Sequence, residues 1–265
     1  MEIIAYLASI FIGISLGLIG GGGSMLTVPL LVYLFSMEAI SATAHSFFIV
    51  GITSAVGSIT YFTKGLVRLK TALLFGLPSI LAVYITRAFI VPAIPDEIFH
   101  MGDLSITKNL FILLLFALLM IGASYSMIKK NLIHFEAENE TQQINYSKFF
   151  MIGTVVGFLN GLLGVGGGFL IIPALVLLSR IPMKEAIGTT LVIIAANSFI
   201  GFIGVNPDTF IDWMLLVKIS TFAITGMFIG IFLSKKIDGA KLKPAFGWFI
   251  LFMGIYIIIK ETLFK

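Results

Sequence analysis

The chain has 265 residues, of which 58% are hydrophobic and only 11% are charged, and it contains no cysteine. Soluble domains carry about 25% charged residues, so this composition excludes an ordinary soluble domain and indicates a membrane protein with several spans. The formal net charge of +4 is small and lies in the polar loops, which argues against nucleic acid as a partner. Without cysteine there is no disulfide framework, thiolate metal site or thiol nucleophile.

Eight apolar segments follow one another along the chain. We predict that all of them are helices, because only helices and closed barrels span lipid and no strand alternation is visible. The polar stretch 129–147 is predicted to be a cytoplasmic linker between a first membrane repeat, 1–128, and a second, 148–265. The segments run at about 3–35, 39–62, 70–92, 105–128, 148–180, 184–205, 212–234 and 242–263.

The two halves of the chain are related by an internal duplication. The stretch "GLIGGGGSMLTVP" begins at Gly17, and "GLLGVGGGFLIIP" begins 144 residues later at Gly161. From Gly13 onward, 11 of 23 aligned positions are identical, including five glycines and one proline. "EAISAT" at Glu38 then matches "EAIGTT" at Glu185. A repeat of this kind predicts two structural units with the same plan.

Segments 3–35 and 148–180 are too long for one simple span. A helix of about 33 residues is roughly 50 Å long, whereas the hydrocarbon core measures about 30 Å. Each segment carries its glycine cluster near the middle, so we predict half-helices at 3–19 and 24–35, and at 148–163 and 168–180, folded into hairpins. The alternative is that each is a long, kinked single span.

The basic loops favour the hairpins. Lysine and arginine are enriched in cytoplasmic loops, and hairpins place both basic loops there, whereas eight simple spans would separate them. The predicted fold is therefore an all-α polytopic membrane protein with two inverted-topology repeats, each a glycine-broken hairpin plus three transmembrane helices. Both termini then lie on the non-cytoplasmic side. The basic residues are Lys64, Arg68 and Lys70 in one loop, and Lys235, Lys236, Lys241 and Lys243 in the other.

Inverted repeats of this kind are typical of secondary transporters, which bind their substrate near the bilayer midplane. A half-helix that begins after each glycine turn offers free amide groups and the positive end of its dipole, which together suit an anion. The alternative is that the glycines only allow close helix packing, which is our interpretation of Gly13, Gly17, Gly157 and Gly161. The candidate binding residues at the turns are Gly20, Gly22, Gly23, Ser24, Gly164, Gly166, Gly167 and Gly168.

Other polar residues inside the spans are also candidates for the substrate site. His45 is an intramembrane ionisable group, and its alternative role is a neutral imidazole bonded to a neighbouring carbonyl. Arg87 either reaches the interface with its head group or contacts an anion at the entrance. Four further candidates could hold substrate or satisfy freed backbone groups: Thr43, Thr190, Asn160 and Asn197.

The middles of the spans contain no aspartate or glutamate, so a proton relay built on a buried carboxylate has no candidate. Coupling to a proton, through His45 or the substrate's own acid group, and coupling to sodium both stay open. An enzyme would need a nucleophile with a base, or a metal cluster. The chain offers only three histidines and no HExxH motif, so we predict a protein that is not an enzyme and has no cofactor or metal.

The paired glycine motifs, each followed by an "EAI" stretch, resemble the two halves of the sulfite exporter TauE/SafE family of membrane permeases. The resemblance covers essentially the whole chain. It implies transport of a small sulfur-containing anion, such as sulfite or an organosulfonate like sulfoacetate, across the bacterial plasma (inner) membrane. The alternatives are an anion channel or an uptake permease for another small organic anion.

Carried over position by position, the family's glycine motif falls on both turns and on Pro29 and Pro173. The family's "GTS"-like element falls on Gly188, Thr189 and Thr190 in the second half, which adds Thr189 to the candidate binding residues. In the first half the same element reads Ser41, Ala42 and Thr43. The two halves therefore offer unequal side chains to a ligand. The oligomeric state is open, with a homodimer as one option.

Overall fold

A computed structural model describes residues 2–101, 104–128, 146–179, 181–234 and 239–263. Nearly all of them are helical. The first half contains α1 (Glu2–Ile19), α2 (Ser24–Leu34), α3 (Ala39–Thr63), α4 (Leu69–Ile85), a π-helical turn (Thr86–Ile90), α5 (Val91–Ala93), β1 (Glu97–Met101), β2 (Leu104–Thr107) and α6 (Lys108–Ile128). The second half contains α7 (Tyr146–Leu163), α8 (Gly168–Ser179), α9 (Met183–Ile203), α10 (Trp213–Leu233) and α11 (Gly239–Leu263).

Six stretches of the described chain are helical, long and apolar enough to cross a membrane. Their outward faces are apolar as well. Along α4, for example, Leu69, Leu73, Leu77 and Leu81 are each more than half exposed, and their four-residue spacing aligns them on one helix face. Such a stripe suits lipid. The chain is a multi-pass membrane protein, with candidate spans Ala39–Thr63, Leu69–Ala93, Lys108–Tyr125, Tyr146–Leu163, Lys184–Ile203 and Trp213–Leu233.

The predicted breaks at the glycine clusters are confirmed. α1 ends at Ile19 and α2 begins at Ser24, while α7 ends at Leu163 and α8 begins at Gly168. Both pairs of boundaries differ by the same 144 residues that separate the sequence repeats. The helix α7 begins at Tyr146, two residues before the predicted start of the second repeat. The rest of the predicted linker, residues 129–145, lies outside the described residues.

In the first half the two half-helices form a hairpin. The ring of Tyr6, near the start of α1, lies 6.2 Å from the ring of Phe35 at the end of α2. At the turn, Gly23 packs against the backbone of Ile12 and the side chain of Leu16. A straight helix would carry residue 35 about 40 Å beyond residue 6. The chain therefore reverses direction at the glycines, and both ends of this hairpin lie together.

The helix before each glycine turn packs against a helix of the other half. α1 contacts α10, where Gly13 lies against Ala223 and Gly17 against the backbone around Gly230. α7 contacts α4, where Gly157 lies against Ser79. In each case a Cβ on the glycine would collide with backbone of the facing helix. Close packing through small residues is the usual basis of helix association in lipid. The packing role predicted for these scattered glycines is confirmed.

The equivalent helices α3 and α9 cross at the centre. Gly51 of α3 lies against Ser198 of α9, and Gly201 of α9 lies against the ring of Phe47. The two helices are therefore antiparallel. Around this pair, the side chains of Phe47, Ile49, Val50, Leu191 and Ile194 are fully buried.

One prediction about secondary structure is wrong. The segment predicted as helix from 105 begins with strand β2, which pairs antiparallel with β1 and carries a bulge between Glu97 and Phe99. α6 begins only at Lys108. Strands of five and four residues are too short for an alternation to stand out in the sequence. The hairpin forms the connection between the α4–α5 span and α6.

Candidate functional site

The two glycine turns touch each other inside the bundle. A Cβ added to Gly21 would collide with the backbone of Gly168, and one added to Gly168 would collide with Gly21. Every residue from 19 to 31 and from 160 to 169 is buried. Four turn glycines have positive φ, at 77° for Gly20, 68° for Gly164, 71° for Gly166 and 73° for Gly167. Other residues rarely adopt this conformation, so both turns require glycine.

The two glycine turns lie at overlapping levels along the axis of the helix bundle. Gly166 lies against Val50 and Ile194, which are in the middle of α3 and α9. Gly164, however, packs on Thr43 near the start of α3, and Gly20 packs on Ile187 near the start of α9. Because α3 and α9 run in opposite directions, Gly20 and Gly164 lie toward opposite ends of the bundle. The contact between the turns is thus near the middle, and their tips extend toward opposite faces.

The half-helices begin with free amide groups. In α2 the first backbone bond is from Leu26 N–H to the Gly23 carbonyl, at 3.1 Å, and in α8 it is from Leu170 N–H to the Gly167 carbonyl, at 3.0 Å. The backbone amides of the two preceding residues, Ser24 and Met25 in α2 and Gly168 and Phe169 in α8, have no acceptor in the part of the chain that the structure describes. Free amides at a helix start carry the positive end of the dipole. The starts of α2 and α8 come together where Gly21 contacts Gly168.

Ser24 does not cap its helix in this structure. Its hydroxyl donates to the carbonyl of Gly21 at 2.8 Å, and Gly23 is the capping residue without a side-chain bond. The side chain thereby fixes the turn. Its proton is directed at the backbone, so Ser24 contributes to the site mainly by shaping it.

Asn160 provides an unpartnered amide beside the second turn. The residue is 1% exposed, and neither its Oδ1 nor its Nδ2 has a hydrogen-bond partner among the described residues. A Cβ at Gly167 would lie 3.1 Å from the Asn160 Nδ2 atom, so the amide faces the turn directly. Buried polar groups without partners are costly, which makes this group a candidate for a ligand contact. At the equivalent place in the first half, Leu16 packs on Gly23.

A serine that sequence reasoning missed also faces the second turn. Ser198 is fully buried, and its Oγ has no hydrogen-bond partner within the described part of the chain. A Cβ at Gly166 would lie 2.9 Å from this atom. The next residue back, Asn197, donates from Nδ2 to the Ser79 Oγ at 2.8 Å, leaving its Oδ1 unpaired. The repeat could not reveal Ser198, because its equivalent in the first half is Gly51.

The threonines of the predicted site have different environments. Thr43 touches Gly164, and its hydroxyl donates to the Ile40 carbonyl at 2.7 Å. Thr189 accepts a bond from the Arg68 amide at 3.0 Å and so holds the loop between α3 and α4. Only Thr190 among these three buried residues has a hydroxyl without a partner. The structure therefore gives Thr189 a role in the packing of the loop.

The same loop is tied to α9 by an ion pair. The exposed side chain of Arg68 donates to Glu185 Oε2 at 2.5 Å. This hydrogen bond and the charge of Glu185 raise the pKa of Arg68 above its usual value. An exposed ion pair contributes little to stability. It links the two halves at the end of the bundle opposite His45.

His45 bonds to backbone with both ring nitrogens. Nδ1 lies 2.8 Å from the carbonyl of Ser41, and Nε2 lies 3.1 Å from the backbone nitrogen of Asp212. A carbonyl needs a donor and an amide needs an acceptor, which assigns the neutral imidazole with its proton on Nδ1. The side chain of Asp212 in turn caps α10 by accepting from Leu215. In this structure His45 joins α3 to α10, away from the contact between the glycine turns.

Arg87 does not reach the interface with its head group. It is 2% exposed, so one of its two predicted roles, the extension of the side chain to the membrane surface, is wrong. It lies in the π-helical turn that follows α4, where packing against α3 and α9 covers it. Sequence reasoning identified the residue as intramembrane but not its burial.

These features define a class of protein. A bundle of membrane-spanning helices that encloses two buried helix starts is an arrangement found in secondary transporters. The family described as "Sulfite exporter TauE/SafE" matches residues 5–257. The chain belongs to this family of membrane permeases.

Similar proteins support the same class. A "Probable membrane transporter protein" of Xylella fastidiosa strain Temecula1 is 28% identical over 254 residues, covering 93% of this chain and 91% of the relative. The "Probable membrane transporter protein YdhB" of Bacillus subtilis is 25% identical over 240 residues, covering 90% and 93%. A similarly described protein of Methanocaldococcus jannaschii is 26% identical over 262 residues, covering 94% and 92%. No solved structure matches the chain significantly.

Proposed function

We propose that the chain is a secondary transporter of small sulfur-containing anions, and that it exports sulfite or an organosulfonate such as sulfoacetate by alternating access. The observation that carries this proposal is the contact of two buried glycine turns at Gly21 and Gly168. The family's description as a sulfite exporter supports the choice of substrate. A bacterial plasma membrane is the expected location.

The turns suit a small oxyanion on physical grounds. An anion leaving water loses strong hydration, and it needs donors that are already in place. Amide groups at two helix starts provide such donors without a charged side chain at the turns themselves. Asn160 Nδ2 and the Ser198 hydroxyl add two donors on one side. The site thus recognises negative charge and oxygen acceptors in a small volume.

The proposed inverted topology is supported by helix directions. α3 and α9 are repeat-equivalent, yet Gly51 meets Ser198 while Phe47 meets Gly201, as antiparallel helices require. The ends of α1 and α2 lie together at Tyr6 and Phe35. Near the C-terminus, Glu261 accepts a hydrogen bond from Tyr33 at 3.3 Å, so α11 ends beside the end of α2. These contacts fit a plan in which both termini lie on the non-cytoplasmic side.

A pair of single cysteines tests this topology. We expect Lys64→Cys to react with a membrane-impermeant maleimide only after permeabilisation, and Asp208→Cys to react in intact cells. Both residues are exposed, and the cysteine-free parent chain provides a clean background. Hairpins place these loops on opposite sides, whereas eight simple spans place them on the same side. Identical accessibility of both cysteines contradicts the inverted plan.

Flux in liposomes tests the transport function. The purified protein should carry sulfite at a rate that saturates with concentration and that rises when sulfite is present on the far side, because a carrier returns faster when loaded. Sulfoacetate should compete with sulfite, and acetate should compete less. Imposed proton and sodium gradients identify the coupling ion. Flux that does not saturate and shows no acceleration favours an anion channel, and the absence of flux for sulfur anions contradicts the proposal.

A further inference from the structure

Arg87 is a buried charge without a counterion. Its side chain is 2% exposed, and the described residues contain no carboxylate that pairs with it. Its Nη2 donates to the Ile40 carbonyl at 3.3 Å, and its guanidinium carbon lies 5.6 Å from the centre of the Phe47 ring. Nη1 has no partner. A charge in such a place is costly unless it is compensated, so its presence points to a ligand.

A second cation lies in the same region. Lys108, the first residue of α6, is 7% exposed. Its neighbour Asn109 accepts a hydrogen bond from the Ile40 amide at 3.3 Å, and the Ile40 carbonyl is the group that accepts from Arg87. The Lys108 amide also donates to the carbonyl of Asp96, whose side chain is exposed. The start of α6 thus adds a second buried cation to the region, and the neighbouring carboxylate is solvated.

This region adjoins the tip of the second glycine turn. Thr86, next to Arg87, packs on Gly161 in the last turn of α7. The Ile40 carbonyl that accepts from Arg87 also accepts from the Thr43 hydroxyl, at 2.7 Å. Thr43 in turn lies directly on Gly164. One shared carbonyl therefore connects the guanidinium to the turn.

Beside the first turn, the position equivalent to Arg87 is apolar. Gly17 packs between Met227 and Ile231 of α10 as Gly161 packs on Thr86, and the offset of 144 residues makes Ile231 the equivalent of Arg87. Ile231 is buried and apolar. The described cations at the end of the bundle near the first turn, Arg68 and Lys184, are exposed. Among the described residues, the buried and unpaired cation therefore lies beside the second turn, at the end of the bundle where α3 begins.

We propose that Arg87, assisted by Lys108, forms an anion subsite that holds the transported oxyanion on its way between the second glycine turn and the face where α3 begins. Nη1 and the remaining N–H of Nη2 give the guanidinium two donors for the oxygens of a sulfite or sulfonate group. This subsite rests on the proposed function and assigns its charge recognition to one side. A lipid phosphate has the same chemistry, and the test separates the two sources.

The test compares Arg87→Met with Arg68→Met, the same substitution at an exposed arginine. We measure KM and kcat for sulfite in phosphatidylcholine liposomes, together with the thermal stabilisation that sulfite gives to the protein in detergent. Loss of a charged hydrogen bond predicts a KM about 10- to 100-fold higher for Arg87→Met. The stabilisation by sulfite should disappear, while Arg68→Met should match the wild-type protein.

Several outcomes overturn the subsite. An unchanged KM and an unchanged stabilisation by sulfite in Arg87→Met contradict it. If Arg87→Met does not fold, Arg87→Lys decides, because it keeps the charge but loses the fork; a wild-type KM in this variant contradicts the proposal. Arg87-dependent stabilisation by phosphatidylglycerol and not by sulfite assigns the residue to lipid. Absence of flux in the wild-type protein contradicts the proposed function, whereas binding of sulfite in detergent tests the subsite separately.

Discussion

Replacing Gly167 by leucine is expected to abolish sulfite transport while the helices still form. Gly167 has a φ of 73°, a conformation that costs other residues about 1–2 kcal/mol. A Cβ there would also lie 3.1 Å from Asn160 Cγ, so a longer side chain must displace the amide that faces the turn. Because small displacements of binding groups can cost about 100-fold in rate, we expect flux to fall by about that factor.

The matched control is Gly122→Leu. Gly122 lies in α6 with nothing within 4 Å of its would-be Cβ, so leucine there only adds surface facing outward. Flux in liposomes and size-exclusion profiles are compared for both variants and for Gly22→Leu in the first turn. Wild-type flux in Gly167→Leu would remove the second turn from the site, and wild-type flux in Gly22→Leu would remove the first.

Replacing Asn160 by leucine, the residue that the first repeat carries at position 16, should separate stability from function. The unpartnered amide is 1% exposed, and its removal from an apolar environment should raise the free energy of unfolding by about 1 kcal/mol. If the amide donates to the bound anion, KM should rise about 10-fold or more, as expected for a hydrogen bond to a charged group.

Asn206→Leu provides the control for this substitution, because Asn206 is exposed in the loop after α9. Thermal unfolding in detergent and sulfite flux are measured for both variants. A less stable Asn160→Leu protein with normal KM would mean that the amide supports the fold and does not contact the substrate. A more stable protein with a raised KM is the signature of a binding residue kept at a cost in stability.

The two glycine turns are surrounded by different side chains. Asn160, Ser198 and the Arg87 region surround the second turn, whereas Leu16 and Ile231 occupy the corresponding positions around the first. If the anion binds at both turns, we expect KM to differ between the two faces of the membrane and to be lower at the face to which the second turn opens. Flux measured from each side of oriented liposomes tests this expectation, while the direction of net transport follows the gradients of the anion and of any coupled ion.

The local pattern was sufficient to predict where the chain breaks. Glycine clusters interrupt a helix by their own backbone freedom, and so the ends at Ile19 and Leu163 and the restarts at Ser24 and Gly168 follow from sequence. The repeat offset and the lengths of the apolar segments can likewise be read directly from the order of residues along the chain. The short strands β1 and β2 escaped prediction because nine residues carry too weak a periodicity.

By itself, then, the sequence determined that this is a duplicated, helical membrane protein of the TauE/SafE family whose glycines form two turns. The tertiary structure decided which residues meet those turns. Asn160 faces Gly167, Ser198 faces Gly166, and His45 bonds instead to Asp212. It also decided that Arg87 is covered by Phe47 and Gly204 and lies 2% exposed. The burial of a side chain and its hydrogen-bond partners depend on contacts between helices that are far apart in the chain. The spacing of residues along one helix does not encode these contacts.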